Sequence, residues 1–258
     1  MPRYFLQLAY NGTRYNGWQT QHNTPNTIQQ VLEEKLTMLL KDKIEVVGCG
    51  RTDTGVHARN YYAHFDYSAP GFEEQIEHWV YKLNTVLPND ISIFDILPVQ
   101  EEAHARFDAT ERTYHYYLHK HKNPFIENLS WYQYGHIDFE LMNMAADILL
   151  ETEDFTSFSK VNTQTKTNIC YVSEAQWVQL DENEWCFVIT ADRFLRNMVR
   201  AIVGTLMQVG RNKITLDEFR KIIQQKNRTE AGMSAPAHAL FLTDIQYPKD
   251  IFLERAKK

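Results

Sequence analysis

The sequence predicts an α+β fold in two halves, because one order of strands and helices occurs twice along the chain. The first 100 residues show the order strand, helix, strand, strand, helix, strand, and the remainder repeats it with one added helix. Helices are predicted where apolar residues recur every three or four positions, and strands where short β-branched and aromatic runs lie between turn residues. Two such units are typical of ferredoxin-like (βαββαβ) halves with helices on the outer face of each antiparallel sheet. The two uncovered sheet faces are expected to form a central cleft.

The first half begins with a short strand, YFLQLAY, which ends at the turn residues of NGTRYNGW. In the next segment, TIQQVLEEKLTMLLK, apolar residues recur at helical spacing, and Thr27 with Gln30 fits a capping box. Two strands, a helix ending at Pro88 and a closing strand follow, namely KIEVVGCG, NYYAHFDY, FEEQIEHWVYKLNTVL and ISIFDILPV. We expect residues 1–100 to form an N-terminal ferredoxin-like domain.

The second half repeats this order without repeating the sequence. Its predicted elements are RTYHYYLH, DFELMNMAADILL, YVSEAQWVQL, EWCFVITA, RFLRNMVRAIVGTLMQVG, TLDEFRKIIQQ and HALFLTDIQYP. The third and fourth are expected to pair as a hairpin around DENE, and the sixth is an inserted helix. We expect residues 101–258 to form a C-terminal ferredoxin-like domain.

The composition excludes several classes of protein. The chain has 258 residues, 43% hydrophobic content and only three cysteines, with no C-x-x-C pair. This argues against a disulfide framework and a cysteine-based zinc site, and it favours a reducing cytoplasm. No apolar run reaches the roughly 18 residues that span a membrane.

The positive charges are concentrated in one segment, although the net charge is −6. Residues 192–213 carry five cations, Arg193, Arg196, Arg200, Arg211 and Lys213, against one acid. In a helix beginning at Phe194, the first three of these arginines would share one face. Such a face is commonly a solvated polar surface. Against that interpretation, no acid balances this face, and the planar fork of arginine suits phosphate and carboxylate groups.

A carboxylate lies within the loop GCGRTDTGVHAR, between the second and third predicted strands. Asp53 follows Arg51 by two positions, which places both side chains on the same side of an extended segment. Local chemistry favours a simple salt bridge within the loop. The alternative is an active-site carboxylate that Arg51 keeps ionised. The tripeptide D-T-G also occurs in aspartic proteases, but those enzymes need two such carboxylates and this chain has one.

The strand RTYHYYLH carries several tyrosines. Alternation places Tyr114, Tyr116 and Leu118 on one face. Tyrosines on an open sheet face can stack on bases, and core packing is an equal alternative. The histidines of this region, His115, His119 and His121, have no matching second ligand cluster, so no metal site is expected.

These motifs together resemble the TruA-type tRNA pseudouridine synthases. The resemblance rests on GRTDTGVHA, with YNGTRYNGWQTQ before it and LNTVLPNDI after it. In the second half, four segments are similar to the family's later motifs and occur in the same order. They are HARFDATERTYHYYL, DFTSFSK, FLRNMVRAIVGTLMQVG and SAPAHALFL. Cys49, Glu153 and Ala239 depart from the common pattern, and none of them lies in the Arg-Thr-Asp core.

The resemblance implies a function and a set of site residues. Such enzymes convert uridine to pseudouridine at positions 38, 39 and 40 of the tRNA anticodon stem-loop, as homodimers and without a cofactor or metal. The catalytic aspartate corresponds to Asp53. Substrate-binding roles fall on Arg51, linked to flipping the nucleotide, on the active-site Tyr114, and on Arg200, which pairs with the aspartate. Contacts with the RNA backbone are then expected from Arg193 and Arg196. A non-catalytic RNA-binding module is the competing class, and it gives no reason for Asp53.

Overall fold

The structure is a computed structural model that describes residues 1–21, 24, 26–160 and 166–255. These residues form a mixed α/β fold with nine strands and five α-helices, as predicted in outline. The chain divides into two compact units. Unit 1 comprises Met1–Thr110 with Leu242–Lys258, and unit 2 comprises Glu111–Phe241. Unit 1 thus continues past the expected boundary at residue 100 and includes the C-terminal segment.

Unit 1 contains four strands and two helices in its N-terminal part. They are β1 Arg3–Tyr10, α1 Ile28–Leu40, β2 Val47–Gly48, β3 His57–Asp66, α2 Ile76–Val86 and β4 Ile91–Val99. The strands pair antiparallel in the order β4-β1-β3, with β2 on β3. The central strand β1 buries Phe5, Leu6 and Leu8 completely, so the sheet is covered at its centre.

Helix α1 begins where the sequence predicts it. The Thr27 hydroxyl accepts the Gln30 N–H at 3.4 Å, and Lys41 ends the helix in the left-handed region with φ 56°. The side chain of Gln30 binds Glu34 at 2.9 Å instead of completing the capping box. The buried side of the helix repeats every four residues, at Ile28, Leu32, Leu36 and Leu40.

Strand β2 is much shorter than the predicted strand KIEVVGCG. Only Val47–Gly48 pairs with β3. The reason is that polar side chains of α1 form hydrogen bonds with the backbone of Val46. Its N–H donates to the Glu33 carboxylate and its carbonyl oxygen accepts from the Gln29 amide, each at 3.0 Å. Backbone groups engaged in this way are not available to a strand ladder.

Unit 2 carries a second antiparallel set of strands. Its elements are β5 Glu111–His119, β6 Trp131–Tyr132, α3 Phe139–Leu150, β7 Val172–Gln179, β8 Glu184–Ala191, α4 Met198–Gly210 and α5 Leu216–Gln224. The order is β5-β8-β7, and the predicted hairpin of β7 and β8 is confirmed. The short strand β6, parallel to β5, was not predicted. The last strand, β9 Leu240–Gln246, begins in unit 2 and continues into unit 1.

Helix α4 begins at Met198 and not at Phe194. Asn197 precedes it in the left-handed region, with φ 67°, which interrupts any continuous helix through residues 194–197. Arg193 and Arg196 therefore lie in a loop, and the predicted helical face shared with Arg200 is wrong. Within α4, only Arg200 and Gln208 are not buried.

Candidate active site

Asp53 lies on a tight loop that leads into β3. The Val56 N–H donates to the Asp53 carbonyl oxygen at 3.1 Å, and Gly55 permits this turn with φ 78°. Thr52 is buried, and its hydroxyl is 2.8 Å from the Tyr10 hydroxyl. Asp53 is half-buried and Arg51 is exposed. The loop is thus anchored inside the unit at Thr52, while the two charged neighbours of Thr52 have access to the surface.

The segment Tyr10–Trp18 holds this loop by its backbone, and we call it the clamp segment. The Trp18 N–H donates to the Thr52 carbonyl oxygen at 3.2 Å, and the Gly55 N–H donates to the Tyr15 carbonyl oxygen at 3.3 Å. Such backbone contacts fix the position of the loop from which the Asp53 side chain extends.

Two glycines make the clamp possible. A Cβ on Gly12 would overlap the Val56 carbonyl oxygen, and a Cβ on Gly17 would overlap the Thr52 carbonyl oxygen. Gly17 also has φ 85°, which L side chains rarely adopt. In the sequence, the glycines of NGTRYNGW have the pattern of ordinary turn residues, so this role was not predicted. Their repetition within one short segment was the available signal.

Two stacked aromatic rings lie next to the loop that carries Asp53. Trp18 and Tyr61 have ring centroids 4.1 Å apart, and the Tyr61 hydroxyl donates to the Gly50 carbonyl oxygen. Burial holds the pKa of Tyr61 well above its ordinary value, so the phenol remains a protonated donor. This contact anchors the residue that precedes Arg51.

Arg51 contacts a glutamine. Its Nε donates to Gln19 Oε1 at 3.3 Å. The loop salt bridge that local chemistry favoured is therefore not the contact that the structure describes for Arg51. Arg51 and Asp53 lie two residues apart on one loop of unit 1.

The tyrosines of β5 have different surroundings. Tyr116 is fully buried, and its hydroxyl donates to the Pro236 carbonyl oxygen at 3.0 Å, so it belongs to the core. Tyr114 is half-buried, and its ring contacts Phe194 edge-on with centroids 5.0 Å apart. Of these two tyrosines, only Tyr114 has accessible ring surface with which to contact a base.

Arg200 occupies the first turn of α4 and is held by the segment 231–235. Its Nε donates to the Ala235 carbonyl oxygen at 2.7 Å, and the Ala235 N–H donates to the Arg200 carbonyl oxygen at 2.9 Å. Arg228 fixes the same segment by donating to the Gly232 carbonyl oxygen at 3.1 Å and to Ser234 Oγ at 2.9 Å. Burial lowers the pKa of Arg228. This role of Arg228 was not predicted from the sequence.

Arg193 and Arg196 lie in the loop before α4. The Arg193 N–H donates to the Asp192 carboxylate at 2.7 Å, and the Arg196 carbonyl oxygen accepts the Lys160 N–H at 3.1 Å. The Arg196 side chain is exposed and the Arg193 side chain is half-buried.

The described residues contain no group of three or more His, Cys, Asp or Glu side chains arranged to hold a metal ion. His119 is buried with its Nδ1 2.9 Å from Ser130 Oγ, which makes it a structural histidine. Within the described ranges, no helix has both the length and the apolar composition needed to cross a bilayer.

The chemistry that these residues offer is that of an oriented carboxylate. An ionised aspartate can act as nucleophile or as proton acceptor, and the neighbouring guanidinium can bind an anion or a base. The backbone that carries this carboxylate is anchored by the clamp segment.

Comparison with known proteins identifies the family. A family model described as tRNA pseudouridine synthase matches residues 8–108 and 145–248. Asp53, Arg51 and Arg200 lie in these segments, and Tyr114 lies between them.

The chain is also similar over nearly its whole length to proteins named tRNA pseudouridine synthase A. It is 52% identical to that of Porphyromonas gingivalis over 254 residues, or 98% of this chain and 100% of the relative. The protein of Bacteroides thetaiotaomicron is 51% identical over 262 residues, with coverage of 100% and 95%. That of Clostridium acetobutylicum is 41% identical over 244 residues, with coverage of 94% and 98%. The resemblance seen in the motifs is confirmed, and the chain belongs to the tRNA pseudouridine synthase family of isomerases.

Proposed function

We propose that this chain isomerises uridine to pseudouridine at positions 38, 39 and 40 of the tRNA anticodon stem-loop, with Asp53 as the catalytic carboxylate and without a cofactor. The observation that carries the proposal is the Asp53 loop, which lies in a matched family segment and is anchored by backbone hydrogen bonds from the clamp segment. An enzyme with this substrate acts where tRNA resides, in the cytoplasm.

The reaction balances without any external reactant. The N1–C1′ glycosidic bond breaks, the uracil turns, and a C5–C1′ bond forms, while the proton at C5 is lost and N1 gains one. Asp53 serves as nucleophile or base in this sequence. Attack on C1′, attack on C6 and elimination through a glycal are all compatible with one carboxylate.

The remaining site residues bind the substrate. The target nucleotide must leave the base stack before the reaction, and Arg51 assists this flipping. Tyr114 stacks on the flipped base. Arg200 supplies the cation that pairs with the Asp53 carboxylate. Arg193 and Arg196 contact phosphates of the RNA backbone. Of these roles, those of Arg51, Tyr114 and Arg200 rest on the family resemblance.

We also propose two ferredoxin-like domains that divide near residue 100, with the C-terminal segment from Leu242 in the first unit, and a homodimeric assembly. The order β4-β1-β3 with β2 on β3 supports the first domain, and β5-β8-β7 supports the second. Light scattering across a concentration series tests the assembly, and a monomer at micromolar concentration contradicts it.

The test of the activity uses unmodified tRNA transcripts and purified protein, with no cofactor added. Pseudouridine has the same mass as uridine, so it is first derivatised with a carbodiimide that, after alkaline treatment, remains on pseudouridine alone, and is then located by mass spectrometry of nuclease fragments. We expect it at positions 38, 39 and 40, and not in transcripts with cytidine at those positions. Binding without conversion would favour a non-catalytic RNA-binding module, and pseudouridine elsewhere would contradict the assigned positions.

A further inference from the structure

The side chain of Gln29 makes four hydrogen bonds in unit 1. Its Oε1 accepts from Gln19 Nε2 at 2.9 Å and from the Thr20 N–H at 3.0 Å. Its Nε2 donates to Glu33 Oε1 and to the Val46 carbonyl oxygen, each at 3.0 Å. Every donor and acceptor position of a primary amide is thereby used. Gln29 therefore joins α1, the segment after the clamp and the residues before β2.

These bonds determine which way the Gln19 amide points. Because Gln29 Oε1 can only accept, the nitrogen of Gln19 must face it. The oxygen of Gln19 is then directed away from Gln29, and it accepts from Arg51 Nε at 3.3 Å. If the Gln19 amide were reversed, its oxygen would face the acceptor Gln29 Oε1 and its nitrogen would face the donor Arg51 Nε. Neither pair could form a hydrogen bond. The network thus specifies an acceptor at the position where Arg51 binds.

The anchor of this network is Glu33. Its carboxylate accepts from Gln29 Nε2 and from the Val46 N–H, each at 3.0 Å. This ties the orientation of Gln29 to the helix and to the backbone that leads into the Asp53 loop. An arginine side chain has many rotamers, and holding one of them in place reduces the ordering cost when substrate binds.

We propose that Gln19 is a positioning residue that holds Arg51 in its working conformation, and that Gln29 sets the orientation of Gln19. The inference rests on the proposed function, because it assigns Gln19 an effect on the step in which Arg51 takes part. Gln19 does not act on the uridine itself.

A purely structural role for Gln19 predicts a different outcome. If Gln19 only stabilised its own loop, its loss would lower activity equally with or without Arg51. If Gln19 acts through Arg51, its loss has little effect once Arg51 is gone. A double-mutant cycle separates the two cases.

The experiment measures the single-turnover rate at saturating enzyme, with tRNA affinity and thermal unfolding recorded for each variant. We expect Gln19→Met to slow the bound reaction about tenfold, since hydrogen bonds to charged groups are among the stronger ones. Gln19→Glu retains an acceptor for Arg51 but places its second oxygen against Gln29 Oε1, so it should lose less activity than Gln19→Met without matching the wild type. In an Arg51→Ala background, Gln19→Met should cost less than twofold. Equal losses in both backgrounds, or a loss below twofold in the wild type, would overturn the proposal.

A second pair of variants tests the role of Gln29 and keeps the proposal falsifiable if Gln19→Met does not fold. Gln29→Met should slow the bound step severalfold and lose that effect in the Arg51→Ala background. Gln30→Met is its matched control, because the side chain of Gln30 binds only Glu34 among the described residues and should leave the rate unchanged. Equal effects of the two substitutions would contradict the network. The wild type and Asp53→Asn in the same assay report on the proposed function independently of the cycle.

Discussion

Replacing Gly17 by alanine should damage both the stability of the chain and the geometry at Asp53. The new Cβ would overlap the Thr52 carbonyl oxygen and lie 3.2 Å from the Asp53 carbonyl carbon. Both atoms belong to the loop that carries the proposed catalytic carboxylate. The Gly17 carbonyl oxygen also accepts a hydrogen bond from the Ile28 N–H at 3.2 Å. This bond opposes movement of the clamp segment away from the loop.

Two effects set the magnitude. Alanine at φ 85° costs about 1–2 kcal/mol in backbone strain. Relieving the overlap adds about 1–3 kcal/mol and displaces the loop on the order of 1 Å. Together the free energy of unfolding should fall by about 2–5 kcal/mol. A displacement of this size at a catalytic group can reduce the rate about 100-fold.

Gly135 offers a matched control. It has φ 84°, but a Cβ there would meet nothing within 4 Å. Gly135→Ala therefore carries the backbone strain without the overlap, and should cost only about 1–2 kcal/mol with unchanged turnover. Urea unfolding and single-turnover pseudouridine formation are measured for both variants. If Gly17→Ala keeps full activity and loses no more stability than Gly135→Ala, the clamp does not position Asp53.

Three further predictions concern charge. Asp53→Asn should abolish pseudouridine formation while tRNA still binds, and turnover within about tenfold of wild type, or roughly 1.4 kcal/mol of barrier, would contradict catalysis by this carboxylate. tRNA affinity should fall steeply with salt despite the net charge of −6, and Arg196→Ala should reduce the slope of log affinity against log salt by about 0.7–0.9, whereas an unchanged slope removes Arg196 from the phosphate contacts. Burial lowers the pKa of His64 to about 4, and its Nδ1 accepts the Ala105 N–H at 3.1 Å. Because the unfolded chain takes up this proton first, near pH 6.5, stability should fall as the pH drops from 6.5 towards 4. His64→Gln should weaken that dependence in urea unfolding, and an equally steep dependence would contradict it.

Elements whose signals are local were predicted well. Thr27 begins α1 because a hydroxyl three residues before an amide N–H is enough to cap a helix. The hairpin of β7 and β8 follows from two adjacent apolar strands around a polar turn. Asp53 was identified as a candidate because it is an acid among glycines, and the motif around it resembles that of the family.

The failures share a different cause. The strand before the Asp53 loop is short because Glu33 and Gln29, more than ten residues upstream, take the backbone groups of Val46. Helix α4 starts late because Asn197 adopts a left-handed conformation, and the Asn197 side chain donates to Ser234 Oγ at 2.6 Å. Periodicity along the chain contains no information about such distant partners.

The sequence by itself determined the family, the outline of the fold and the identity of the candidate carboxylate, because these depend on residue types and their spacing. The tertiary structure decided that Gly12 and Gly17 serve a clamp, that Arg51 binds Gln19 and that Tyr116 belongs to the core. Each of these depends on how closely two segments distant along the chain approach each other. Packing sets the distance between such segments, and a single added Cβ can be too large for the space between them. The composition of a short segment contains no information about that distance.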